Sequence, residues 1–461
     1  MTLDSYIESL RGKSIAVVGL GVSNRPLLRL LLDAGYAVTV RDKRTEEKFG
    51  ADEAAALEKA GCRLVLGEGY LSDLSEDVIF RTPGLHPFTP ELAAAKERGA
   101  VLTSEMEAFF AVCPCRIIAV TGSDGKTTTT TILSELLKAQ GYRVFLGGNI
   151  GTPLLDKAPE MHPGDWAVLE LSSFQLHSMD CRPDIAVVTN VSPNHLDVHP
   201  SYEDYQTAKK QIFLSQNGGD VTVLNADNAI TRAFAVDCPG TVRFFSRESE
   251  PENGVFLRGG EIFRNRGGEV SKLMDAASIR LPGLHNVENY MAAFAATDGI
   301  VSDDVCRAVA ESFRGVAHRL EMIRTLHGVT YCNDSIASSP TRTIAGLHAL
   351  RQKPILIAGG YDKHIPFDAL GDEICRHVKA LYLTGFTADK VYDAVTKSPF
   401  YDPEKLPIRK IEDFRETVLA AAKSAKDGDL VLLSPACASF DHFKNFAERG
   451  DTFRAIVNEL E

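Results

Sequence analysis

Residues 120–128, Val-Thr-Gly-Ser-Asp-Gly-Lys-Thr-Thr, have the composition of a phosphate-binding turn. An apolar run over residues 116–120 precedes them and a helix-like stretch follows, so a buried strand is predicted to lead through the turn into a helix N-terminus. Backbone N–H groups of such a turn point outward, Lys126 adds a full positive charge, and the Thr127 hydroxyl can bind the Mg²⁺ that accompanies a nucleoside triphosphate. The pattern predicts an ATP site. A plain strand-to-helix turn is the alternative, because Val120 stands where the usual motif begins with glycine.

Polar residues also follow two other apolar runs. Glu170 ends the run 167–169, and His195 and Asp197 come after the run 185–188. The carboxyl ends of parallel strands meet at one edge of a sheet, so these side chains are expected near the phosphate turn, where a carboxylate can bind Mg²⁺. A solvated acid and an ordinary packed histidine are the alternatives. The convergence of three candidates on one edge favours a site.

The segment Gly19-Leu20-Gly21 follows the first strand-like run, and Asp42 ends the second. This imitates a dinucleotide-binding fingerprint, but Asn24 occupies the place of its third glycine. We therefore discount NAD and predict a turn whose amides hold another phosphorylated group, such as a nucleotide sugar. A structural turn without a ligand stays open as the alternative.

Strand-like and helix-like stretches alternate along the whole chain, which is typical of α/β domains with parallel sheets. At about 150 residues per domain, 461 residues predict three domains. We expect a Rossmann-like N-terminal domain over 1–110, a central P-loop-type ATPase domain with a mostly parallel sheet over 111–315, and a Rossmann-like C-terminal domain over 316–461. The Gly- and Arg-rich stretch 253–268 is expected to form an antiparallel elaboration of the central domain.

The composition excludes several classes of protein. The net charge of −12 argues against general binding to nucleic acid, and no apolar run approaches the roughly 20 residues that cross a membrane. The nine cysteines show no spacing typical of a zinc site or a disulfide framework, and the first residues lack the pattern of a signal peptide. We expect a reduced cytoplasmic protein without membrane insertion.

Several motifs together resemble the ATP-dependent Mur ligase family, which joins amino acids to a UDP-linked muramic acid during peptidoglycan assembly. Three of them are Thr-Gly-Ser-Asp-Gly-Lys-Thr, Leu-Glu-Leu-Ser-Ser-Phe-Gln-Leu and Asn-His-Leu-Asp-x-His. Others follow in family order at residues 282–289, 317–321, 333–335, 359–363 and 432–450. The last two motifs resemble those of the member that adds D-glutamate to UDP-N-acetylmuramoyl-L-alanine. The resemblance spans essentially the whole chain.

The resemblance implies roles for individual residues around ATP. A first Mg²⁺ would be held by Thr127 and Glu170 and a second by His195. Lys209 matches the lysine that the family carbamylates, which would turn a cation into a carboxylate-like ligand of Mg²⁺. The sequence by itself favours an ordinary surface lysine beside Lys210. The positions implied to bind ATP are Gly122, Ser123, Asp124, Gly125, Lys126, Thr127, Thr128, Asn286, Asn289, Arg319 and Asp334. Structural hydrogen bonding is the alternative for the two asparagines.

The resemblance also implies positions for both substrates. Those for the UDP-linked substrate are Gly21, Val22, Ser23, Asp42, Lys43, Arg44, Thr82, Pro83 and Gly84, with Asn149 at the muramoyl part. Those for D-glutamate are Lys363, Ser439 and Phe446. The chain departs from the family pattern at Ile336, where a lysine is usual, at Ser338, where a threonine is usual, and at Asp124, where asparagine is usual. The first two leave the details of D-glutamate recognition open.

The implied reaction uses ATP to phosphorylate the L-alanyl carboxylate, after which the D-glutamate amine attacks the acyl phosphate. Lys126, His195 and Lys209 are the expected catalytic residues, with two Mg²⁺ ions, in a monomer. The alternatives are another amino-acid ligase on the same scaffold, such as a different Mur ligase or a folylpolyglutamate synthetase, and an ATP-hydrolysing switch or binding protein. A dehydrogenase would rest only on the Gly19 turn and Asp42.

Overall fold

The computed structural model describes the chain except for residues 194–198, 282, 351 and 363–364. The described part contains three β-sheets with helices between the strands, which confirms the predicted α/β class. The chain forms two compact units, Met1–Phe313 with two sheets and Arg314–Glu461 with one. No described helix has both the length and the apolar character needed to span a bilayer.

The first sheet has five parallel strands in the order β3-β2-β1-β4-β5. Its central strand is apolar and buried at all four positions, as expected for a parallel sheet covered on both faces. The strands are β1 (Ile15–Val18), β2 (Val38–Asp42), β3 (Arg63–Leu66), β4 (Val78–Arg81) and β5 (Val101–Thr103). The helices are α1 (Leu3–Glu8), α2 (Asn24–Asp33), α3 (Glu46–Phe49), α4 (Ala51–Lys59), α5 (Pro90–Glu97) and α6 (Glu105–Val112).

The second sheet has nine strands in the order β14-β13-β12-β11-β10-β9-β6-β8-β7. The strands are β6 (Arg116–Thr121), β7 (Val144–Gly148), β8 (Trp166–Glu170), β9 (Ile185–Val188), β10 (Val221–Asn225), β11 (Thr241–Ser246), β12 (Asn253–Arg258), β13 (Glu261–Arg266) and β14 (Glu269–Asp275). Strands β6 to β12 pair in parallel, and β12, β13 and β14 pair antiparallel, which confirms the expected elaboration after residue 253.

Six helices accompany the second sheet: α7 (Lys126–Ala139), α8 (Ser173–Leu176), α9 (Tyr202–Leu214), α10 (Ala229–Phe234), α11 (Leu284–Ala296) and α12 (Asp303–Ser312). The first two sheets share one hydrophobic core, which contains Leu27 of α2, Phe109 of α6 and Leu155 from the segment between β7 and β8. Buried Arg81 of β4 also donates hydrogen bonds to Phe174 O at 3.1 Å and Ser178 Oγ at 2.8 Å. The carboxyl ends of the two sheets are therefore joined within one unit.

The second unit has six strands in the order β15-β16-β20-β17-β18-β19, parallel except for the β15–β16 pair. The strands are β15 (Glu321–Leu326), β16 (Val329–Asn333), β17 (Ile355–Ala358), β18 (Ala380–Leu383), β19 (Ile408–Lys410) and β20 (Leu430–Leu433). The helices are α13 (Pro340–Ala349), α14 (Asp368–His377), α15 (Ala388–Thr396), α16 (Phe414–Ser424) and α17 (Phe446–Glu459).

Candidate active site

The phosphate turn lies between β6 and α7, as the sequence predicts. Its two glycines have positive φ values, +150° at Gly122 and +77° at Gly125, which L side chains rarely adopt. A Cβ atom at Gly122 would overlap the Thr189 hydroxyl, and one at Gly125 would overlap the Asn289 amide oxygen. Both glycines are therefore required by backbone conformation and by close packing.

The segment after β9 holds the turn in place. The Ser123 N–H donates to Asn190 O and the Asp124 N–H to Asn190 Oδ1, both at 2.9 Å. These two N–H groups are thus paired within the protein. The sequence motif predicts that the backbone N–H groups of the turn point outward, which is wrong for Ser123 and Asp124. The amides suited to a phosphate lie instead in the first turn of α7, at Thr127 and Thr128, because the first N–H groups of a helix have no carbonyl partner within it.

Two lysines meet at one carbonyl oxygen of the turn. Lys126 Nζ donates to Gly122 O at 2.9 Å, and Lys209 Nζ donates to the same oxygen at 2.8 Å. Lys209 is only 1% exposed, and its ammonium lies 4.4 Å from the centroid of the Tyr205 ring. Burial and then the charge of Lys126 lower the pKa of Lys209 well below its usual value.

Lys209 is therefore not an ordinary surface lysine, so that alternative is wrong. A lowered pKa increases the fraction of the neutral amine, which is the form that a reaction with CO₂ requires. The adjacent Lys210 is the partly exposed one, and it pairs with Asp237 at 2.5 Å.

Glu170 ends β8 beside β6, where Val120 is its register partner. The side chain is buried, and its Oε1 accepts a hydrogen bond from Asn149 Nδ2 at 2.8 Å. Its Oε2 is buried and has no hydrogen-bond partner in the part of the chain that the structure describes. An unpaired buried carboxylate oxygen is costly unless a cation meets it, so Glu170 fits the predicted Mg²⁺ ligand.

The two predicted asparagines lie on α11 against the phosphate turn. Asn289 Nδ2 donates to Asn286 Oδ1 at 3.1 Å, and Asn289 Oδ1 accepts from Thr129 Oγ1 at 3.2 Å. Both asparagines are about 6% exposed. These bonds fit the structural alternative, and they also place both amides beside the start of α7.

The predicted nucleotide-sugar turn follows β1. Gly19 has a φ of +80°, and a Cβ atom there would lie 2.5 Å from Thr82 Cγ2. Asp42 Oδ2 accepts from the Leu20 N–H at 2.9 Å and from Arg44 at 2.7 Å. Burial alone would raise the pKa of Asp42, but the hydrogen bonds from Arg44 and Leu20 outweigh it and lower the value. The carboxylate of Asp42 therefore holds the turn as an anion.

The other predicted positions for this substrate surround the same turn at the carboxyl ends of β1, β2 and β4. Exposed among them are Gly21, Val22, Lys43 and Gly84, and half-buried are Ser23, Arg44, Thr82 and Pro83. The exposed backbone here is accessible to a ligand.

A histidine–aspartate network formed by residues of α9 and of the segments after α8 and before α9 was not predicted from the sequence. Asp204, in the first turn of α9, accepts from His177 Nε2 at 2.8 Å and from His199 Nδ1 at 2.7 Å. His199 Nε2 also meets Ser173 Oγ at 3.0 Å. His199 ends the motif Asn-His-Leu-Asp-x-His, which was the only indication of it in the sequence.

In the second unit, buried Asp334 accepts from the Leu320 N–H at 3.2 Å and from Ser434 Oγ at 2.7 Å. Burial raises the pKa of Asp334 to about 6, and these hydrogen bonds and Arg319 act in the opposite direction. Two of the three positions where the chain departs from the family pattern follow closely, and the Ser338 N–H donates to Ile336 O at 2.8 Å.

The remaining described positions of this unit lie around α17. Ser439 is buried, whereas Phe446 is 38% exposed at the start of the helix. Arg449, which the sequence analysis gave no role, is buried and donates to Ala438 O and to Ser335 Oγ, both at 3.0 Å. Arg449 thus joins two of the loops that carry predicted site residues.

Two predicted site residues, His195 and Lys363, lie outside the described residues, and so does Asp197.

Comparison with known proteins gives matches along the whole chain. Residues 13–104 match the family model "Mur ligase MurD-like, N-terminal domain", residues 120–297 match "Mur ligase middle domain", and residues 318–437 match "Mur ligase, glutamate ligase domain". The chain is 50% identical to the UDP-N-acetylmuramoylalanine–D-glutamate ligase of Acetivibrio thermocellus, over 100% of this chain and 99% of the relative. It is 47% identical to the protein of the same name from Clostridium kluyveri, over 99% of both.

A solved structure, the UDP-N-acetylmuramate-alanine ligase of Thermotoga maritima, aligns over 97% of this chain and 99% of its own, with a TM-score of 0.54. At 18% identity, this likeness concerns the fold.

Proposed function

Because this chain belongs to the Mur ligase family, we propose that it joins D-glutamate to the L-alanyl carboxyl group of UDP-N-acetylmuramoyl-L-alanine, in peptidoglycan synthesis. The observation that carries the proposal is the 50% identity, over the whole chain, to a relative of that name. The three parts of the chain divide the work: 1–110 binds the UDP-linked substrate, 111–315 binds ATP, and 316–461 binds D-glutamate and part of the nucleotide. The enzyme acts in the cytoplasm as a monomer.

The reaction has two steps. The L-alanyl carboxylate attacks the γ-phosphorus of ATP, which forms an acyl phosphate and releases ADP. The D-glutamate amine then attacks the acyl carbon, so that an amide forms, inorganic phosphate leaves and the amine loses a proton. No protein nucleophile is needed, and the protein contributes alignment, charge neutralisation and exclusion of water.

Mur ligases use ATP and Mg²⁺. When bound, Mg²⁺ neutralises the phosphate oxygens and polarises the transferring group. The first turn of α7 binds the phosphates through its N–H groups, and Lys126 adds positive charge beside them. Thr127 and Glu170 hold the first Mg²⁺, and the unpaired Oε2 of Glu170 supports this assignment.

A second Mg²⁺ site uses His195 and a carbamylated Lys209. The burial of Lys209 and the lowered pKa of its amine support the carbamate, and its Nζ donates a hydrogen bond to Gly122 O of the phosphate turn. The remaining nucleotide contacts come from Asn286, Asn289, Arg319 and Asp334.

The turn after β1 holds the UDP-linked substrate together with Asp42, Arg44 and the segment 82–84. Asn149 binds the muramoyl part. The hydrogen bond from the Asn149 side chain to Glu170 supports this role, because it puts Asn149 next to the carboxylate proposed to hold the metal. Lys363, Ser439 and Phe446 bind D-glutamate.

An amino-acid panel tests the proposal. The enzyme is incubated with ATP, Mg²⁺, UDP-N-acetylmuramoyl-L-alanine and one amino acid at a time, and phosphate release is followed together with the product mass. We expect release with D-glutamate alone and a product heavier by one glutamyl residue. Release with another amino acid would identify a different ligase on this scaffold, and release without a new product would identify an ATPase.

A further inference from the structure

Three metal-binding side chains converge between the first and second sheets, apart from the phosphate turn. They are His86, in the loop after β4, His177, just after α8, and Asp204, in the first turn of α9. One ligand atom of each lies within 4.8 Å of the other two. Bound Zn²⁺ at 2.0–2.1 Å from its ligands needs them about 3.3 Å apart, so small side-chain movements would complete the geometry.

Two imidazole nitrogens of this cluster are buried and unpaired. Within the described residues, His86 Nε2 and His177 Nδ1 have no hydrogen-bond partner, and the His177 side chain is only 6% exposed. A buried polar atom without a partner costs about 1–3 kcal/mol, so such atoms are rare in folded proteins. Unpaired nitrogens in a cluster of this composition are a second indication of a ligand, independent of the distances.

The cluster has the supporting contacts typical of a metal site. Metal-binding side chains are usually oriented by hydrogen bonds from a second layer of residues. Asp204 accepts from His199 Nδ1 at 2.7 Å, and Ser173 Oγ lies 3.0 Å from the other nitrogen of His199. The His199 ring also stacks on the ring of His177, with centroids 5.3 Å apart. Asp204 and His177 are thereby fixed in position.

A cavity of about 160 Å³ adjoins the two histidines, and Pro83, Gly84, Pro87 and Phe174 complete its lining. A metal ion with three protein ligands keeps a fourth position for water or an exogenous ligand. The cavity is large enough for such a ligand.

We propose that His86, His177 and Asp204 bind one divalent transition-metal ion of the Zn²⁺ type, with its open coordination position facing this cavity. Two imidazoles and one carboxylate select Zn²⁺, Co²⁺ or Ni²⁺ over Mg²⁺, which prefers oxygen ligands. The site is therefore chemically distinct from the Mg²⁺ site at Glu170. A bound ion links the loop after β4 of the first sheet to α8 and α9 of the second.

The test uses Co²⁺ as a spectroscopic probe on the full-length chain, stripped of metals and kept in excess Mg²⁺ so that the oxygen sites are filled. A second group in the described part of the chain, His348, Glu373 and His377, lies at the surface and could also bind the probe. The background variant H348Q/H377Q removes it. We expect this variant to bind one Co²⁺ with the intense visible absorption of four-coordinate cobalt, to release it to Zn²⁺, and to unfold at a higher temperature with Zn²⁺.

Adding H86Q, H177Q or D204N to the background should weaken Co²⁺ binding by at least tenfold, in the range typical of a lost ligand or lost orienting contact. H162Q is the matched control, because His162 also lies near a carboxylate, 3.6 Å from Asp165, but is 73% exposed. If H177Q fails to fold, H86Q decides, since the His86 side chain accepts one hydrogen bond, from the Phe88 N–H at 3.3 Å, and otherwise makes ring contacts with Phe88 and His177. A featureless spectrum, or an unchanged spectrum in H86Q, would show that the cluster is only a hydrogen-bonded network. Ligase activity is not involved, so the result is independent of the proposed reaction.

Discussion

Replacing Glu170 by glutamine should have opposite effects on stability and on activity. In the protein without metal, the carboxylate of Glu170 is buried, and its Oε2 has no partner among the described residues. Leaving a buried acceptor unpaired costs about 1–3 kcal/mol, and a charged one costs more. Glutamine keeps the shape and can keep the hydrogen bond from Asn149. Its amide nitrogen then takes the unpaired place of Oε2, so the expected gain comes from removing the buried charge and not from pairing the atom. We therefore expect E170Q to raise the free energy of unfolding of the first unit by about 1–3 kcal/mol in EDTA.

The same substitution removes the proposed Mg²⁺ ligand. Mg²⁺ and ATP at one hundred times their dissociation constant should raise the free energy of unfolding of the wild-type protein by about 2.7 kcal/mol. E170Q should lose most of this increase. The rate constant kcat/KM should fall by about 10²–10³-fold, as for other losses of transition-state charge stabilisation. Urea unfolding with and without Mg²⁺ and ATP, together with steady-state kinetics, measures both effects.

The matched control is E105Q, since Glu105 is also a buried glutamate of this unit and accepts from the Leu155 N–H at 3.3 Å. E105Q should retain activity and its response to Mg²⁺. An E170Q protein that is less stable than the wild type in EDTA, or fully active, would refute the assignment of the unpaired oxygen to a metal.

Three further predictions concern neighbouring groups. K209A should lose turnover and regain part of it when short carboxylates are added. K210A, which removes a partly exposed ion pair, should keep near wild-type activity. An absence of rescue in K209A would weaken the carbamate proposal. Burial raises the pKa of Glu105 from 4.5 to about 7, so the folded state binds the proton more tightly than the unfolded state does. The free energy of unfolding should therefore fall by about 3 kcal/mol as the pH rises from 4.5 to 7. Unfolding measured at several pH values should show this decrease in the wild type and not in E105Q. G125A should raise the KM for ATP by about tenfold or more, because the left-handed conformation costs an alanine about 1–2 kcal/mol and its Cβ displaces Asn289; an unchanged KM in nucleotide titrations would contradict this.

The sequence was sufficient for elements that a continuous apolar run or a glycine turn marks. Strand β6 and helix α7 lie where the pattern predicts them, because a continuous apolar run and a glycine turn are local features. Strand β15 was not predicted, since it pairs antiparallel at the sheet edge with mostly half-buried and exposed positions that give no clear period. The predicted end of the N-terminal domain, residue 110, lies inside α6. Phe109 of this helix packs in a core that two sheets share, and no local pattern indicates such sharing.

The candidate site was predictable where a motif lies on a strand end, as at Glu170. The burial of Lys209 was not predicted, although helical spacing puts it on the buried face of α9 with Tyr205 and Ile212. Its contact with Gly122 O could not be predicted from local spacing, because the two residues are 87 positions apart. The contact between His177 and Asp204 joins residues 27 positions apart, so no spacing rule reveals it.

The central claim is that the chain makes the L-alanyl carboxyl group reactive by transferring phosphate to it. The most direct measurement uses UDP-N-acetylmuramoyl-L-alanine labelled with ¹⁸O in that carboxylate, followed by mass analysis of the inorganic phosphate released with D-glutamate. One labelled oxygen should appear in each phosphate, because the carboxylate oxygen that attacks ATP leaves with the phosphoryl group. Unlabelled phosphate alongside amide product would mean that the carboxyl group is activated in another way, and the account would be wrong.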